Sequence, residues 1–443
     1  MMWVAREKRM ATSYYDTMLN GTQSRAGEGD VMEPDLGDPR ILLRDDVLDD
    51  PRMFHDVLRS KAPVWQIPGQ DTFLVSDPVL IREAVRRPAD FSSNLVSILH
   101  DDGTGCPATF AMARFGDPVH VLSTADQPLH ARHRKLLQSH LSPATVAGLE
   151  PAITRIVTEH LDAVIEAGEV DFVATFGDLV PARTVCELIG LPPQDAPWLV
   201  STVSVLGALL DGVTKKAEMG PPVEAAMDLL AYIEARVDEA VAAPPTERSG
   251  LLGVFAEGIG AGTVDRGEAR DMLLVLVSAG SETTASLLAT AIETLARDPE
   301  LQERLRRDPA RIPGAIEDIL RADGPFQFHY RATPRDTTLG GVPIPANSRV
   351  LLMWAAANRP APDGVDDEPA DAVDRGPAPH FAFGKGLHFC IGAPVARLEA
   401  RIALEQLLAR TTSVALTPGR LPTRRPSIFI RRHATLPITV TPD

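Results

Sequence analysis

The sequence predicts a mainly α-helical protein with a few small β-sheets, folded as one large domain. Apolar residues recur at three- and four-residue, helical spacing in five segments: 153–165, 225–241, 268–297, 301–306 and 313–321. Strand-like segments are few and short: 72–75, 350–354 and the tail 427–440, which suggests a hairpin. The chain has 443 residues, of which 44% are hydrophobic, enough for a large core. A prior of about 150 residues per domain suggests roughly three domains, but no linker separates the helical segments.

The sequence also predicts where the folded domain begins and ends. We expect residues 1–38 to form a poorly ordered leader and residues 39–443 to form the folded domain. Arg6, Lys8 and Arg9 lie near the start, but the apolar stretch of a secretory signal peptide does not follow them. Uninterrupted apolar runs such as 272–277 are far shorter than the ~18 residues that span a membrane. The segment 268–297 is apolar on most sides, which predicts a helix buried at the centre of the protein.

Charge and cysteine content narrow the class of protein. The formal net charge of −16 disfavours nucleic acid, which requires a basic footprint, and also disfavours anionic membrane surfaces. The three cysteines, Cys106, Cys186 and Cys390, are too few and too odd in number for a disulfide framework. We therefore expect a cytoplasmic protein that binds neither nucleic acid nor membrane.

The most informative segment is 383–392, Phe-Gly-Lys-Gly-Leu-His-Phe-Cys-Ile-Gly. Gly384 and Gly386 permit backbone conformations closed to other residues, so this loop can turn N–H groups toward the sulfur of Cys390. From Ile391 onward, apolar residues recur at helical spacing, which places Cys390 at the mouth of a helix. The helix dipole favours an anion there and lowers the pKa of the thiol. The thiolate is the form that ligates a metal.

This loop resembles the haem-binding loop of the cytochromes P450, F-x-x-G-x-H/R-x-C-x-G, at every fixed position. The resemblance implies that Cys390 is the axial ligand of a haem b, and thiolate ligation favours O–O cleavage. The haem is expected to be held non-covalently because the attachment pattern C-x-x-C-H is absent. The residues alone leave two other readings: a structural cysteine in a tight turn, or a zinc site that includes His388. Neither Cys106 nor Cys186 has the paired spacing that a zinc site needs.

A second motif, Ala279-Gly280-Ser281-Glu282-Thr283-Thr284, interrupts the long apolar helix. A glycine and an acid cost stability in such a helix, and the Thr283 hydroxyl can bond the carbonyl of Ala279. The motif resembles the family's A-G-x-D/E-T-T signature over the distal haem face. By that resemblance, Glu282 and Thr283 are an acid–alcohol pair that relays protons to oxygen, and Ala279 contacts the substrate. The alternative is a Ser/Thr-rich kink in a core helix.

A third motif lies in the segment 126–134, where His130 and Arg134 share one helix face. It is similar to the family's D-P-P-x-H-x-x-x-R helix, in which the histidine and the arginine pair with the haem propionates. Arg331 and His388 match two further propionate contacts of the family. The remaining basic residues of the helix are read as a solvated face: Arg132, His133 and Lys135.

The chain departs from the family pattern at its structural ion pairs. The family's E-x-x-R reads here as Asp318 to Arg321, with a shorter acid, although Glu317 stands beside it. The family's later arginine is missing from the matching segment, 368–372. Two other arginines are candidates to replace it: Arg359 and Arg375.

The resemblance covers roughly residues 38–443 and implies a soluble, bacterial-type monooxygenase, with a role in secondary metabolism. It would insert one oxygen atom into a small organic substrate by hydroxylation or epoxidation. Electrons are expected from a ferredoxin and a ferredoxin reductase, because no flavin domain is recognisable. The glycine-rich segment 258–262 lacks the context of a dinucleotide-binding fingerprint and is read as a loop. Four basic residues flank the motifs near the cysteine loop as a candidate ferredoxin patch: Lys135, Lys385, Arg397 and Arg401.

Two other functions fit the same residues. A haem-thiolate oxidase that couples or rearranges its substrate without inserting oxygen would keep Cys390 and would not need Thr283. A non-catalytic haem sensor would need neither Glu282 nor Thr283, so the intact pair disfavours it.

The substrate side is expected in the aromatic segment directly before Arg331. Side chains alternate along a strand, which places Phe326, Phe328 and Tyr330 on one face and His329 on the other. We expect Phe326 and Phe328 to line the substrate pocket and His329 to be packed or solvated.

Overall fold

The computed structural model describes residues 33–115, 119–359 and 379–443. Most of the expected leader, the segment 368–372 and Arg375 lie outside the described residues. The expected domain limits are therefore kept as a proposal.

Helices dominate the described residues. Those of the first half are α1 Asp45–Asp49, α2 Arg52–Lys61, α3 Pro78–Val85, α4 Leu129–Leu137, α5 Pro143–Ala147, α6 Glu150–Ala167, α7 Leu179–Ile189 and α8 Ala196–Leu206. Those of the second half are α9 Gly220–Ala242, α10 Gly250–Gly260, α11 Arg266–Arg297, α12 Pro299–Arg307, α13 Ile312–Ala322, α14 Trp354–Ala357 and α15 Ala393–Arg410. The five predicted helices correspond to α6, α9, α11, α12 and α13.

The strands form small separate sheets. They are β1 Val64–Gln66, β2 Thr72–Val75, β3 Ser97–Asp101, β4 Pro107–Ala111, β5 Glu169–Asp171, β6 His329–Ala332, β7 Thr337–Leu339, β8 Val342–Ile344, β9 Arg349–Leu352, β10 Thr411–Leu416, β11 Thr423–Arg424, β12 His433–Thr435 and β13 Pro437–Pro442. The largest sheet has the order β1-β2-β9-β6, and a second has the order β10-β13-β5. The others are the two-stranded sheets β3-β4, β7-β8 and β11-β12. The mainly α class with small sheets is confirmed.

Three local predictions were wrong. The strand 350–354 ends at Leu352, and Trp354 instead begins the short helix α14. The tail 427–440 is not a hairpin, because β12 pairs with β11 whereas β13 pairs with β10 and β5. The glycine-rich segment 258–262 is only partly a loop, since Gly258–Gly260 close α10. Each error concerns a strand partner or an element boundary, and both depend on contacts between residues that are distant in sequence.

Helix α11 crosses the centre of the protein and contacts α7, α8, α9, α13 and α15. By length and composition it is apolar enough to cross a membrane, but 56% of its most apolar window is buried inside the protein, as in a core helix. Gly280 permits the close approach of α7, because a Cβ atom there would lie 2.8 Å from the Val185 side chain. At its start, the Asp265 side chain accepts a hydrogen bond from the Glu268 N–H at 2.7 Å, which caps the helix.

Candidate active site

The cysteine loop, residues 383–392, leads directly into α15. Gly384 and Gly386 have positive φ angles of 69° and 73°, as a tight loop requires. The Cys390 N–H donates to the Phe383 carbonyl at 2.9 Å, which closes the loop. Burial raises the pKa of the Cys390 thiol, while the backbone amides of Gly392 and Ala393 act in the opposite direction. A desolvated sulfur with amides directed at it fits a metal-bound thiolate, because the metal supplies the missing countercharge.

Two exposed residues mark an internal cleft. The Cys390 residue keeps accessible surface although many protein atoms surround its sulfur, as expected for a thiol in the wall of an internal cleft. Ala279 is also exposed, although it lies in the middle of the central helix α11. Since α11 and α15 pack against each other, these surfaces are consistent with walls of one cleft between the cysteine loop and α11.

A basic cluster is assembled from α4, β6 and the cysteine loop. The rings of His130 and His388 lie 4.1 Å apart, and His388 Nε2 lies 2.9 Å from the Ser93 hydroxyl. Arg134 donates to the Phe389 carbonyl at 3.0 Å. The fourth member, Arg331, is only 6% exposed and donates to the carbonyl of the preceding residue at 2.7 Å.

This basic cluster has no carboxylate ion pair among the described residues. Burial lowers the pKa of Arg331 to about 10, and burial together with the neighbouring cationic groups lowers that of His388 to about 3. The buried His388 Nδ1 has no hydrogen-bond partner. Buried donors that lack an acceptor carry a desolvation cost, and carboxylates would relieve it. The residues therefore fit the propionates of a haem, as the sequence predicts.

The other basic residues of α4 are less solvated than expected. Arg132 forms an ion pair with Glu268 at the start of α11. His133 is 1% exposed, and its Nε2 lies 3.7 Å from the same carboxylate. The expectation of a solvated face is therefore wrong for His133, because the first turn of α11 covers it.

On α11, the Thr283 hydroxyl donates to the Ala279 carbonyl at 2.7 Å, as the sequence predicts. The neighbouring Glu282 accepts a hydrogen bond from Arg432 at 3.0 Å. Arg432 also donates to Asp178 at 2.5 Å, and both of these residues are almost fully buried, at 5% and 3% side-chain exposure. The acid of the motif is thus held in a buried ion pair.

Arg432 was missed by the sequence reading. The only signal in the sequence was a run of basic residues, 431–433, between apolar segments. Its two carboxylate partners are Asp178, directly before α7, and Glu282 on α11, which lie 254 and 150 residues away along the chain. Sequence spacing carries no information about such contacts.

The expected substrate face of the aromatic segment is largely buried. Phe328 is 1% exposed and packs in a hydrophobic core cluster with Tyr330 and Phe429, and it also lines a small cavity together with Phe54 and Met353. Phe328 and Tyr330 do share a face, with ring centroids 5.1 Å apart. The expected alternation therefore holds for these two residues, and their shared face packs in the hydrophobic core.

The other residues of this segment bear on the pocket in different ways. His329 is packed as expected, because its Nδ1 accepts a hydrogen bond from the Trp354 indole at 2.6 Å. Phe326 is half-buried and lies 4.5 Å from the His329 ring. Phe326, Phe328 and Ala279 remain our candidates for substrate contact.

The alternative readings of the motifs are weakened by the structure. Among residues 33–115, 119–359 and 379–443, no group of three or more His, Cys, Asp or Glu side chains is placed to hold a metal ion, so the zinc reading finds no support.

Arg359, a candidate to replace the missing family arginine, pairs instead with Asp56 at 2.7 and 2.8 Å. It is therefore not available to Asp318.

Comparisons with known proteins agree with this geometry. The family description "Cytochrome P450" matches residues 249–422. Cytochrome P450 144 of Mycobacterium tuberculosis is 37% identical over 394 residues, which cover 88% of this chain and 89% of that protein. Erythromycin C-12 hydroxylase of Saccharopolyspora erythraea is 34% identical over 80% of this chain and 85% of its own length.

Solved structures lead to the same family. The cytochrome P450 enzyme CxnD, described as acting in C–S bond formation in chuangxinmycin biosynthesis, superposes with a TM-score of 0.76 at 31% identity. The match covers 89% of this chain and 96% of that one. Since similarity of this extent accompanies the cysteine loop and the basic cluster, the chain belongs to the cytochrome P450 family of monooxygenases.

Proposed function

We propose that this protein binds haem b through Cys390 and inserts one atom of molecular oxygen into a small organic substrate. The observation that carries the proposal is the exposed Cys390 thiol next to a basic cluster that has no carboxylate partner among the described residues. Hydroxylation is our first choice of reaction, because a relative is named as a hydroxylase. The names of the erythromycin and chuangxinmycin enzymes support a role in secondary metabolism. The small, odd number of cysteines supports a location in a reducing cytoplasm.

Each member of the site has a proposed role. Cys390 ligates the iron, and the basic cluster holds the two propionates: His130, Arg134, Arg331 and His388. The haem, when bound, supplies the redox-active iron at which molecular oxygen is reduced. Thr283 donates its hydroxyl proton to the Ala279 carbonyl at 2.7 Å, which leaves the oxygen free to accept a hydrogen bond from the cleft. To pass on a proton, the hydroxyl must rotate away from that carbonyl.

Glu282 is proposed to supply protons to Thr283. To do so it must leave Arg432, its partner at 3.0 Å. A buried guanidinium without a partner is costly, but Arg432 keeps Asp178 at 2.5 Å when Glu282 turns away. The second carboxylate therefore lowers the cost of moving the first.

Labelled dioxygen tests the proposed reaction. Compounds that shift the spin state of the haem spectrum identify ligands of the purified protein. These are then incubated with NADPH, a surrogate ferredoxin and reductase, and isotopically labelled dioxygen. We expect one labelled oxygen atom per product molecule, measured by mass spectrometry. A product that forms without label would contradict oxygen insertion.

A second candidate function is oxidative bond formation without oxygen insertion. The similarity to an enzyme of C–S bond formation favours it. Both candidates use Cys390, but only insertion places labelled oxygen in the product. The same experiment therefore separates them.

The proposed electron donor is an acidic ferredoxin, and the patch expected for it needs revision. Arg397 pairs with Glu317 at 2.7 Å, and Arg401 pairs with Glu150 and Glu405 at 2.9 Å each. These two charges are balanced within the protein. Four basic residues have no ion pair among the described residues and lie on or near the cysteine loop, α3 and α4: Arg82, Arg86, Lys135 and Lys385. We propose that these four form the docking patch.

Reduction by ferredoxin should slow as salt rises, because ions screen exposed charges over a Debye length of about 8 Å at physiological ionic strength. Lys385→Glu should slow it further, by roughly tenfold at low salt, since it reverses a steering charge. The matched control, Arg401→Gln, removes a balanced charge and should change the rate by less than about twofold. Stopped-flow reduction measures each rate, and a salt-independent rate would contradict the patch.

A further inference from the structure

The shortened acid of the family's E-x-x-R pattern makes a poor ion pair in this protein. Asp318 and Arg321 on α13 approach only to 3.7 Å. Asp318 Oδ1 and Arg321 Nε are buried and have no hydrogen-bond partner among the described residues. This pair therefore contributes little to fixing the surrounding loops.

The adjacent residue, Glu317, makes the contacts that Asp318 lacks. Its two carboxylate oxygens accept hydrogen bonds from Arg397 Nε and Nη2 at 2.7 and 2.8 Å. Its Oε2 also lies 3.0 Å from His380 Nε2. Burial alone would raise the pKa of Glu317, but the hydrogen bonds from Arg397 and His380 lower it to about 2. The carboxylate is therefore ionised and fully engaged.

These contacts reach both ends of the cysteine loop. His380 precedes the loop, and its Nδ1 accepts a hydrogen bond from the Ala382 N–H at 3.1 Å. Arg397 follows the loop on α15, and its guanidinium lies 4.4 Å from the centre of the Phe383 ring. Glu317 thus ties α13 to the chain that enters the loop and to the helix that leaves it.

We propose that Glu317, with Arg397 and His380, is the positioning network that holds the cysteine loop in this protein, in place of Asp318 and Arg321. The inference rests on the proposed role of Cys390 as the haem ligand. A loop held at both ends keeps the sulfur at a constant distance from the iron. Outer partners of this kind orient a metal ligand without touching the metal.

Two adjacent substitutions that each remove one negative charge test the proposal in the haem-loaded protein. Glu317→Gln should speed the transfer of haem to apomyoglobin by about tenfold, a typical effect for an outer partner of a metal ligand. It should also convert part of the reduced carbon monoxide complex to a non-thiolate spectrum. The matched control, Asp318→Asn, should change the transfer rate by less than about twofold.

Arg397→Lys is the second variant, for use if Glu317→Gln fails to fold. It keeps the charge but loses the bidentate geometry, and it should also speed haem transfer. Equal transfer rates in Glu317→Gln and Asp318→Asn, or a faster rate in Asp318→Asn, would overturn the positioning network while Cys390 remains the ligand. If Glu317→Gln fails to fold, an unchanged rate in Arg397→Lys would overturn it. A wild-type protein without any thiolate spectrum would overturn the proposed function, and this inference with it.

Discussion

Thr283→Ala is expected to bind haem and substrate as the wild type does, yet to lose most of its product. The hydroxyl that is removed donates to the Ala279 carbonyl at 2.7 Å and lies within the motif that resembles the oxygen-activating signature of the family. An alanine keeps the helix but cannot carry a proton. Because general acid–base groups contribute about 10²-fold or more to rate, product formation should fall by roughly a hundredfold. NADPH should still be oxidised, with its electrons reducing dioxygen to hydrogen peroxide.

The next residue provides the control for this experiment. Thr284 is 5% exposed and is buried in the protein core, whereas Thr283 is only half-buried. Thr284→Ala should leave the ratio of product to NADPH unchanged. Product, peroxide and NADPH are measured in the same reaction for both variants. Unchanged coupling in Thr283→Ala would remove Thr283 from the mechanism and favour the function that does not insert oxygen.

The features that the sequence predicted well depend on short spacing. The glycines, the cysteine and the start of α15 lie within about a dozen residues, so local backbone chemistry determines their arrangement. The hydrogen bond from the Thr283 hydroxyl to the Ala279 carbonyl follows from helix geometry alone. The basic cluster was predicted only through the family resemblance, because His130 and His388 meet from distant parts of the chain.

The features that the sequence did not predict depend on distant partners. Alternation placed Phe328 and Tyr330 together, but packing against Phe429 decided that their face belongs to the core. Arg397 was read as a free surface charge, although Glu317, 80 residues earlier, neutralises it. Neither Phe429 nor Glu317 could be inferred from the sequence around the residues that it contacts.

The same limit applies to the tail. The prediction of a hairpin assumed that neighbouring strands pair with each other. Instead, β13 lies between β10 and β5, and β5 begins at Glu169. Sheet partners so distant in sequence are chosen by the packing of the whole domain.

The reduced carbon monoxide spectrum tests most directly whether Cys390 is the haem ligand. Burial raises the pKa of this thiol, so a thiolate at neutral pH requires a bound cation such as the haem iron. The basic cluster does not depend on the sulfur, so Cys390→Ala should still take up haem, although more weakly. Cys186→Ala is the control, because Cys186 is fully buried in another part of the core.

Wild-type protein and the Cys186→Ala control should both show the red-shifted Soret band of a thiolate-ligated carbon monoxide complex. Cys390→Ala should lose that band completely while haem remains bound. Retention of the thiolate band in Cys390→Ala would contradict the assignment of Cys390 and the function proposed for this protein.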